Sequence, residues 1–235
     1  MEQAFTKETH VGDIVSHFPM ASALLKRYRI DFCCGGDRPL REAVEEKELD
    51  VDHLLLELND LYEAAQSALK QQTDWRERSS SELVDHIVGK HHAYLNQVLP
   101  ELSQWVTKIY RVHGKNHPEL KQLHHAYHAL KMELESHSIK EEESVFPKIK
   151  AFDTAASPAV LEELSEAIEE LESEHDAAGD LLKSMRELTG DYQLPPDACQ
   201  TYSMTFKQLQ ELESDLFEHI HLENNILFPR LVKSA

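Results

Sequence analysis

Two stretches of this sequence repeat one pattern of ligand-type residues at helical spacing. Residues 137–149 and 219–231 both follow H-x-x-x-E-x-x-x-[VL]-F-P-[KR]-[IL]. Residues four apart on an α-helix lie about 40° apart on one face. His137 with Glu141, and His219 with Glu223, are therefore each aimed at one point. The repeat predicts two halves related by a pseudo-two-fold axis.

The rest of the sequence predicts an all-α protein. Only seven glycines and nine prolines occur in 235 residues, and the apolar fraction is 41%, as in a folded helical chain. Four long helical segments are predicted, over residues 81–112, 118–149, 158–188 and 196–231. The breaks at 113–116, 153–157 and 190–195 are short, so consecutive helices are expected to pack antiparallel as a four-helix bundle.

A small helical domain is predicted before the bundle. It covers residues 1–65 and contains the Asp-Phe-Cys-Cys-Gly-Gly sequence of residues 31–36, whose glycines favour a tight loop. Asp50 is a candidate N-cap for the last helix of this domain. Residues 66–80 lack apolar periodicity and are interpreted as a linker. The bundle then covers residues 81–235, starting at Ser81, a candidate residue for a helix-capping box.

Apolar periodicity places further histidines toward the bundle core. Leucines and isoleucines flank His175 on its helix, so its face is apolar, whereas His86 has only Leu83 nearby and is a weaker candidate. Together with the two His–Glu pairs, four imidazoles and two carboxylates are expected inside one bundle. A single such histidine is usually a hydrogen-bonded core residue. Six groups in a repeated arrangement are not explained that way, because a buried carboxylate without a cation costs several kcal/mol.

A metal centre removes that cost. Neutral imidazoles and carboxylates are ligands of iron, manganese and zinc, and a carboxylate can bridge two ions. Structural zinc sites favour four ligands that include thiolates, which disfavours zinc here.

Charge and cysteine usage exclude several protein classes. The formal net charge is −19, which repels nucleic acids and anionic lipid surfaces. No apolar run reaches the ~20 residues of a membrane span, and the polar N-terminal segment does not resemble a signal peptide. We therefore expect a cytoplasmic protein that binds neither nucleic acid nor membrane. Its three cysteines, of which Cys33 and Cys34 are adjacent, are expected to be reduced.

The motifs resemble those of a known family. The His-x-x-x-Glu repeats that end in Phe-Pro are similar to those of the hemerythrin-like fold. The Cys-Cys-Gly-Gly loop, the Asp-His-Ile at 85–87, the Glu-His-Asp at 174–176 and the Glu-Asn-Asn at 223–225 resemble the di-iron RIC family (ScdA/YtfE type) of iron–sulfur cluster repair proteins. The resemblance covers nearly the whole chain.

The resemblance implies a centre of two non-haem iron ions joined by an oxo-type bridge. Its terminal ligands would be His86, His137, His175 and His219, and its bridging carboxylates Glu141 and Glu223. Oxygen-carrying hemerythrins have a second histidine where this chain has Gly179, so a reversible oxygen carrier is disfavoured.

The function implied by the family is the repair of iron–sulfur clusters damaged by nitrosative or oxidative stress, by iron delivery. Its partners would be damaged iron–sulfur proteins or a scaffold, with NO or O₂ as small ligands. A di-iron reductase of NO or O₂ is the alternative, and an iron or oxygen sensor or store is the third hypothesis. Enzymatic turnover and association into a homodimer are left open.

The remaining cysteines and histidines carry less specific signals. Cys33 and Cys34 are candidate functional thiols, since adjacent thiols bind soft metals or exchange disulfides; the alternative is that they only pack in a glycine-shaped loop. Cys199 is interpreted as structural or incidental. His124 and His128 form an i, i+4 pair on the face opposite His137, which favours a solvated surface.

Overall fold

The computed structural model describes residues 4–69, 72–154 and 158–232, and all of its regular elements are helical. The all-α class is thereby confirmed. Within these ranges, no helix combines the length and apolarity that crossing a membrane requires. Residues 70 and 71 of the predicted linker and residues 155–157 of a predicted break lie outside the described ranges.

Backbone contacts divide the chain into two compact units. One comprises residues 1–83 together with 217–235, and the other comprises residues 84–216. The predicted boundaries at 1–65, 66–80 and 81–235 stay a prediction. They differ from this division because the C-terminal residues group with the N-terminal part of the chain.

The first unit contains four helices before residue 70: α1 (Val11–His17), α2 (Ala21–Arg27), α3 (Leu40–Glu45) and α4 (Val51–Leu69). Asp50 caps α4 as predicted, since its Oδ1 accepts from the backbone N–H of Asp52 at 2.9 Å and of His53 at 3.2 Å. Helix α1 was not predicted. The α4 helix also extends to Leu69, into the segment interpreted as a linker.

An aromatic cluster forms part of the core of this unit. The rings of Phe5 and Phe18 each meet the ring of Tyr62 edge-on, at centroid distances of 5.2 and 5.3 Å. Asn59, which is buried, holds Phe5 in place: its Oδ1 accepts from the Phe5 N–H at 3.1 Å, and its Nδ2 donates to the Phe5 carbonyl at 3.3 Å. The N-terminal segment is therefore fixed to α4.

The long helices begin at α5 (Ser80–His86). Its capping box is Ser79 with Glu82, not the predicted pattern at Ser81: the Glu82 N–H donates to Ser79 Oγ at 3.1 Å, and the Ser79 N–H donates to the Glu82 carboxylate at 3.0 Å. The helix continues as a π-helical segment, Ile87–His92, and as α6 (Ala93–His113).

The remaining helices follow the prediction closely. They are α7 (Glu119–Lys140), a π-helical segment Glu141–Val145, α8 (Phe146–Thr154), α9 (Pro158–Leu188), α10 (Gln200–Leu222), a π-helical segment Glu223–Leu227 and α11 (Phe228–Val232). The last long helix begins at Gln200, four residues later than predicted.

In the second unit, side chains connect the long helices in pairs. Helix α7 packs against α6 and α9, and the Tyr127 hydroxyl of α7 donates to the Leu99 carbonyl of α6 at 2.7 Å. Arg186 of α9 forms a bidentate ion pair with Glu213 of α10, at 2.9 and 2.6 Å. These contacts connect α6 with α7, α7 with α9 and α9 with α10.

Candidate metal centre

Each of the two repeated motifs changes its helical geometry at the glutamate. The π-helical segments Glu141–Val145 and Glu223–Leu227 both begin at the glutamate and both end just before Phe-Pro. Proline has no N–H for the α-helical ladder and crowds the carbonyl four residues earlier, which favours a local change of hydrogen-bond register before it. Such π-bulges frequently occur at functional sites. Both glutamates are fully buried.

In the second unit, imidazole nitrogens face the carboxylate of Glu141. The distance from His92 Nε2 to Glu141 Oε2 is 3.1 Å, and that from His137 Nε2 to Glu141 Oε1 is 3.4 Å. His175 Nε2 lies 3.0 Å from His137 Nε2. The ligand atoms of His137, Glu141 and His175 all lie within 4.8 Å of one another, so this part of the chain presents a compact set of nitrogen and oxygen donors.

The outer nitrogens of two of these rings bind carboxylates. His137 Nδ1 lies 2.7 Å from Glu174 Oε2, and His92 Nδ1 lies 2.8 Å from Glu142 Oε1. A carboxylate accepts and does not donate, so it fixes the imidazole proton on Nδ1 and leaves the Nε2 lone pair directed at Glu141. The carboxylate–histidine arrangement is typical of histidines that bind metals.

The donor set fits a metal ion. Among the described residues, neither oxygen of Glu141 has a hydrogen-bond partner, although the carboxylate is buried and faces nitrogen lone pairs. An ionised carboxylate in that position is strongly destabilising unless a cation lies beside it. Imidazole with carboxylate is the donor chemistry of iron, manganese and zinc.

Lys140 forms an ion pair with Glu174, the carboxylate that binds the outer nitrogen of His137. Lys140 Nζ donates to Glu170 at 2.8 Å and also forms an ion pair with Glu174. Burial alone would raise the pKa of Glu174, but the hydrogen bonds from Lys140 and His137 outweigh burial and lower that pKa. Glu174 therefore stays ionised and keeps the His137 ring in one orientation.

The first unit contributes a matching pair. His219 Nε2 lies 3.1 Å from Glu223 Oε1, and both side chains are buried. The predicted i, i+4 geometry of both His–Glu pairs is thus present in the structure.

Among the described residues, His86 belongs to none of the groups of converging ligand atoms. Its side chain is half-buried, and its ring packs edge-on against His91 at a centroid distance of 5.8 Å. Burial lowers the pKa of His86 to about 4. The imidazole from this helix that the structure places against Glu141 is that of His92, so His92 is an additional candidate ligand, while the role of His86 stays a prediction.

The π-helical segment Ile87–His92 explains how His92, six residues after the predicted His86, comes to face Glu141. A helix with i→i+5 hydrogen bonds turns less per residue than an α-helix. The direction of a side chain that follows the π-helical segment therefore cannot be calculated from His86 at 100° per residue. The sequence signal for this change of helical geometry is Gly89, a glycine in the interior of the helix. A Cβ added at Gly89 would have no neighbour within 4 Å, so this position lies beside open space.

Cys33 and Cys34 lie in a loop organised by Asp31. Asp31 Oδ1 accepts from the backbone N–H groups of Cys33 at 2.9 Å and Cys34 at 3.1 Å, which is an Asx turn. Both thiols are free, with their sulfurs 3.9 Å apart, and the Cys33 sulfur lies 3.2 Å from Asp31 Oδ1. The three side chains form a second group of donor atoms within 4.8 Å of one another.

The Cys33 thiol is protonated at neutral pH. Its hydrogen bond with Cys34, its burial and the neighbouring Asp31 all raise its pKa well above the ordinary value. A thiolate at Cys33 therefore requires a change in this environment, such as a metal ion that replaces the proton.

The histidine pair His124 and His128 and the third cysteine, Cys199, lie elsewhere in the second unit. The Nε2 atoms of His124 and His128 lie 3.2 and 3.5 Å from the Thr107 hydroxyl, and both rings are half-buried rather than fully solvated. Cys199 is exposed, with its sulfur 3.3 Å from His113 Nε2. Among the described residues, neither arrangement belongs to a group of three converging ligands.

Comparisons with known proteins match both parts of the chain. Residues 83–231 match the family model described as the hemerythrin HHE cation binding domain, and residues 7–62 match ScdA_N, a domain of unknown function. The iron-sulfur cluster repair protein YtfE of Escherichia coli O81 (strain ED1a) is 39% identical over 226 residues, which cover 95% of this chain and 96% of that protein. The protein of the same name from Escherichia fergusonii has the same identity and coverage.

Proposed function

Because this chain belongs to the family of hemerythrin-like iron–sulfur cluster repair proteins, we propose that it binds two iron ions and repairs iron–sulfur clusters damaged by nitrosative or oxidative stress. The observation that carries the proposal is the Glu141 carboxylate, which is buried, has no hydrogen-bond partner within the described part of the chain, and faces the Nε2 atoms of His92 and His137. The family names and the donor chemistry support iron as the metal.

The proposed ligands come from both repeated motifs and from two further helices. Glu141 and Glu223 would be the bridging carboxylates that the resemblance implies. The imidazole ligands would be His92, His137, His175 and His219. When bound, iron supplies either the metal that is delivered to a damaged cluster or a redox centre for NO.

The surrounding residues orient these ligands. Glu174 and Glu142 each hold a proton at the outer nitrogen of a proposed histidine ligand, so the inner nitrogen is available as a donor. Lys140 keeps Glu174 ionised. Burial of both glutamates excludes water from their carboxylates, which strengthens their attraction to a cation.

Partners and location follow the same proposal. Damaged iron–sulfur proteins or an iron–sulfur scaffold are the proposed partners, with NO or O₂ as small ligands, and the cytoplasm is the proposed location. Cys33 and Cys34 are proposed as thiols that take part in repair.

Recovery of a damaged cluster tests the function directly. A [4Fe–4S] hydro-lyase inactivated by NO is incubated with iron-loaded or chelator-treated protein, and its activity and cluster absorbance are followed. We expect recovery with the iron-loaded protein alone. Equal recovery with free iron at the same concentration would contradict a repair function.

A second measurement separates repair from reduction. Consumption of NO is followed in the presence of an electron donor. Many turnovers per chain favour the reductase alternative, whereas one turnover or none favours repair by delivery.

A further inference from the structure

The loop of Cys33 and Cys34 is attached to the helical segment that begins at Glu223. We propose that Asn225 is a positioning residue. It fixes the position of the loop that carries these two thiols relative to Glu223. The inference rests on the proposed function, in which Glu223 binds iron and the thiols take part in repair. All residues of the argument belong to the first unit.

The amide of Asn225 binds two consecutive carbonyls of the loop. Its Nδ2 donates to the Phe32 carbonyl at 3.2 Å and to the Cys33 carbonyl at 2.9 Å. An amide nitrogen has two protons, so one side chain satisfies both carbonyls. His221, in the last turn of α10 just before that segment, has its Nδ1 3.2 Å from the same Phe32 carbonyl, so the preceding helix also contacts the loop.

Two glycines allow Asn225 to approach this closely. A Cβ added to Gly12 would lie 2.1 Å from Asn225 Oδ1, and one added to Gly36 would lie 2.2 Å from the same atom. The Gly12 N–H also donates to the Gly36 carbonyl at 2.8 Å. The backbones of α1 and of the cysteine loop therefore both meet this one amide, and a side chain at either glycine would displace it.

The loop is thus fixed from two sides. Asp31 holds the backbone N–H groups of Cys33 and Cys34, and Asn225 holds the carbonyls of Phe32 and Cys33. Asn225 lies two residues after Glu223 within one π-helical segment. Because Asn225 joins that segment to the loop, we expect any change that metal binding causes at Glu223 to reach the thiols through Asn225.

Alkylation rates test this role without reference to repair activity. The full-length, iron-loaded protein is treated with iodoacetamide, and modification of each cysteine is followed by peptide mass spectrometry. Cys199 is exposed and lies in the other unit, so it serves as the internal reference. We expect Asn225→Ala to accelerate alkylation of Cys34 about tenfold, as expected from the loss of two hydrogen bonds, with Cys199 unchanged.

Two further variants make the result specific. Asn225→Asp keeps the size of the side chain but cannot donate to the carbonyls, and it is expected to accelerate alkylation in the same way. Asn224→Ala removes the neighbouring amide from the same segment and is expected to leave the rates unchanged. Wild-type rates in both Asn225 variants, or an equal acceleration in Asn224→Ala, would overturn the proposal.

Removal of iron tests the coupling. Chelation is expected to change the Cys34 alkylation rate at least threefold in the wild type, and not in Asn225→Ala. An unchanged wild-type rate refutes the coupling, whatever the protein does to a damaged cluster. Absence of cluster repair by the iron-loaded wild type refutes the proposed function instead, so the two failures are distinguishable.

Discussion

His92 Nε2 lies 3.1 Å from Glu141 Oε2, whereas His86, six residues earlier on the same continuous helix, packs against His91. This relationship predicts which of the two histidines binds metal. His92→Ala is expected to lower the iron content of the purified protein strongly, and His86→Ala is expected to retain it. Metal analysis of both variants, together with the optical spectrum before and after dithionite, checks this. Iron loss in His86→Ala alone would restore the original assignment.

Replacement of Glu141 by leucine separates metal binding from stability. Glu141→Leu is expected to lose iron, because the carboxylate is proposed to hold both ions. The apoprotein is expected to be at least as stable to unfolding as the wild-type apoprotein, because a buried charge without a hydrogen bond is removed. Glu223→Leu is expected to lose iron as well. Thermal unfolding of the chelated proteins and metal analysis give the two readouts, and full iron retention in either variant contradicts the bridging role.

Glu174, whose carboxylate binds the outer nitrogen of His137, offers a test in which iron affinity is reduced but not abolished. Glu174→Gln still accepts the Nδ1 proton but has no charge, so iron affinity is expected to fall about 10–100-fold. Glu170→Gln is the matched control, because Glu170 binds the same Lys140 without contacting the imidazole among the interactions described. Competition with a chelator of known affinity measures both. Equal affinity losses would show that Lys140, and not the imidazole, accounts for the effect.

The thiols are expected to differ in reactivity. Cys33 is buried and its pKa is raised by Cys34, by burial and by Asp31, so its thiolate fraction at pH 7 is far below that of a cysteine in a peptide. The alkylation rate of a peptide thiol stops rising once the pH is above its pKa. The alkylation rate of Cys33 is expected to keep rising at pH values at which the peptide rate has levelled off. A rate that levels off at the same pH as the peptide would contradict this environment.

A double replacement tests the function of the thiols. Cys33→Ser combined with Cys34→Ser is expected to leave the iron content unchanged and to slow the recovery of a damaged cluster. Cys199→Ser is the control and is expected to affect neither. Unchanged recovery in the double variant would favour thiols that only pack in the loop.

The repeated motif made much of this site predictable. Four-residue spacing within a helix is a local property, so His137, Glu141, His219 and Glu223 could be paired from the sequence alone. His175 followed from the leucines on its face. Each of these inferences concerns residues within a few turns of one helix, where the α-helical period is maintained.

The failures occurred where the period changes or where distant segments meet. The π-helical segment Ile87–His92 brings the imidazole of His92 to Glu141, which an α-helical period does not indicate. The capping box lies two residues earlier than expected because Glu82 completes it with Ser79. No local pattern shows that Asn225 binds the Phe32 and Cys33 carbonyls, since this contact joins residues almost 200 positions apart.

The π-helical segments at Glu141 and Glu223 have a consequence for how these helices tolerate change. A π turn contains one residue more than an α turn. The set of sequence positions that face the interior therefore follows one angular phase before the glutamate and a shifted phase after it. The ligand pair can occupy the first phase while Val145, Phe146 and Ile149 occupy the second and fill the core. Deletion of one residue from Glu141–Val145 would merge the two phases. Helix lengths would barely change, yet either the ligands or the apolar side chains would rotate away from the interior.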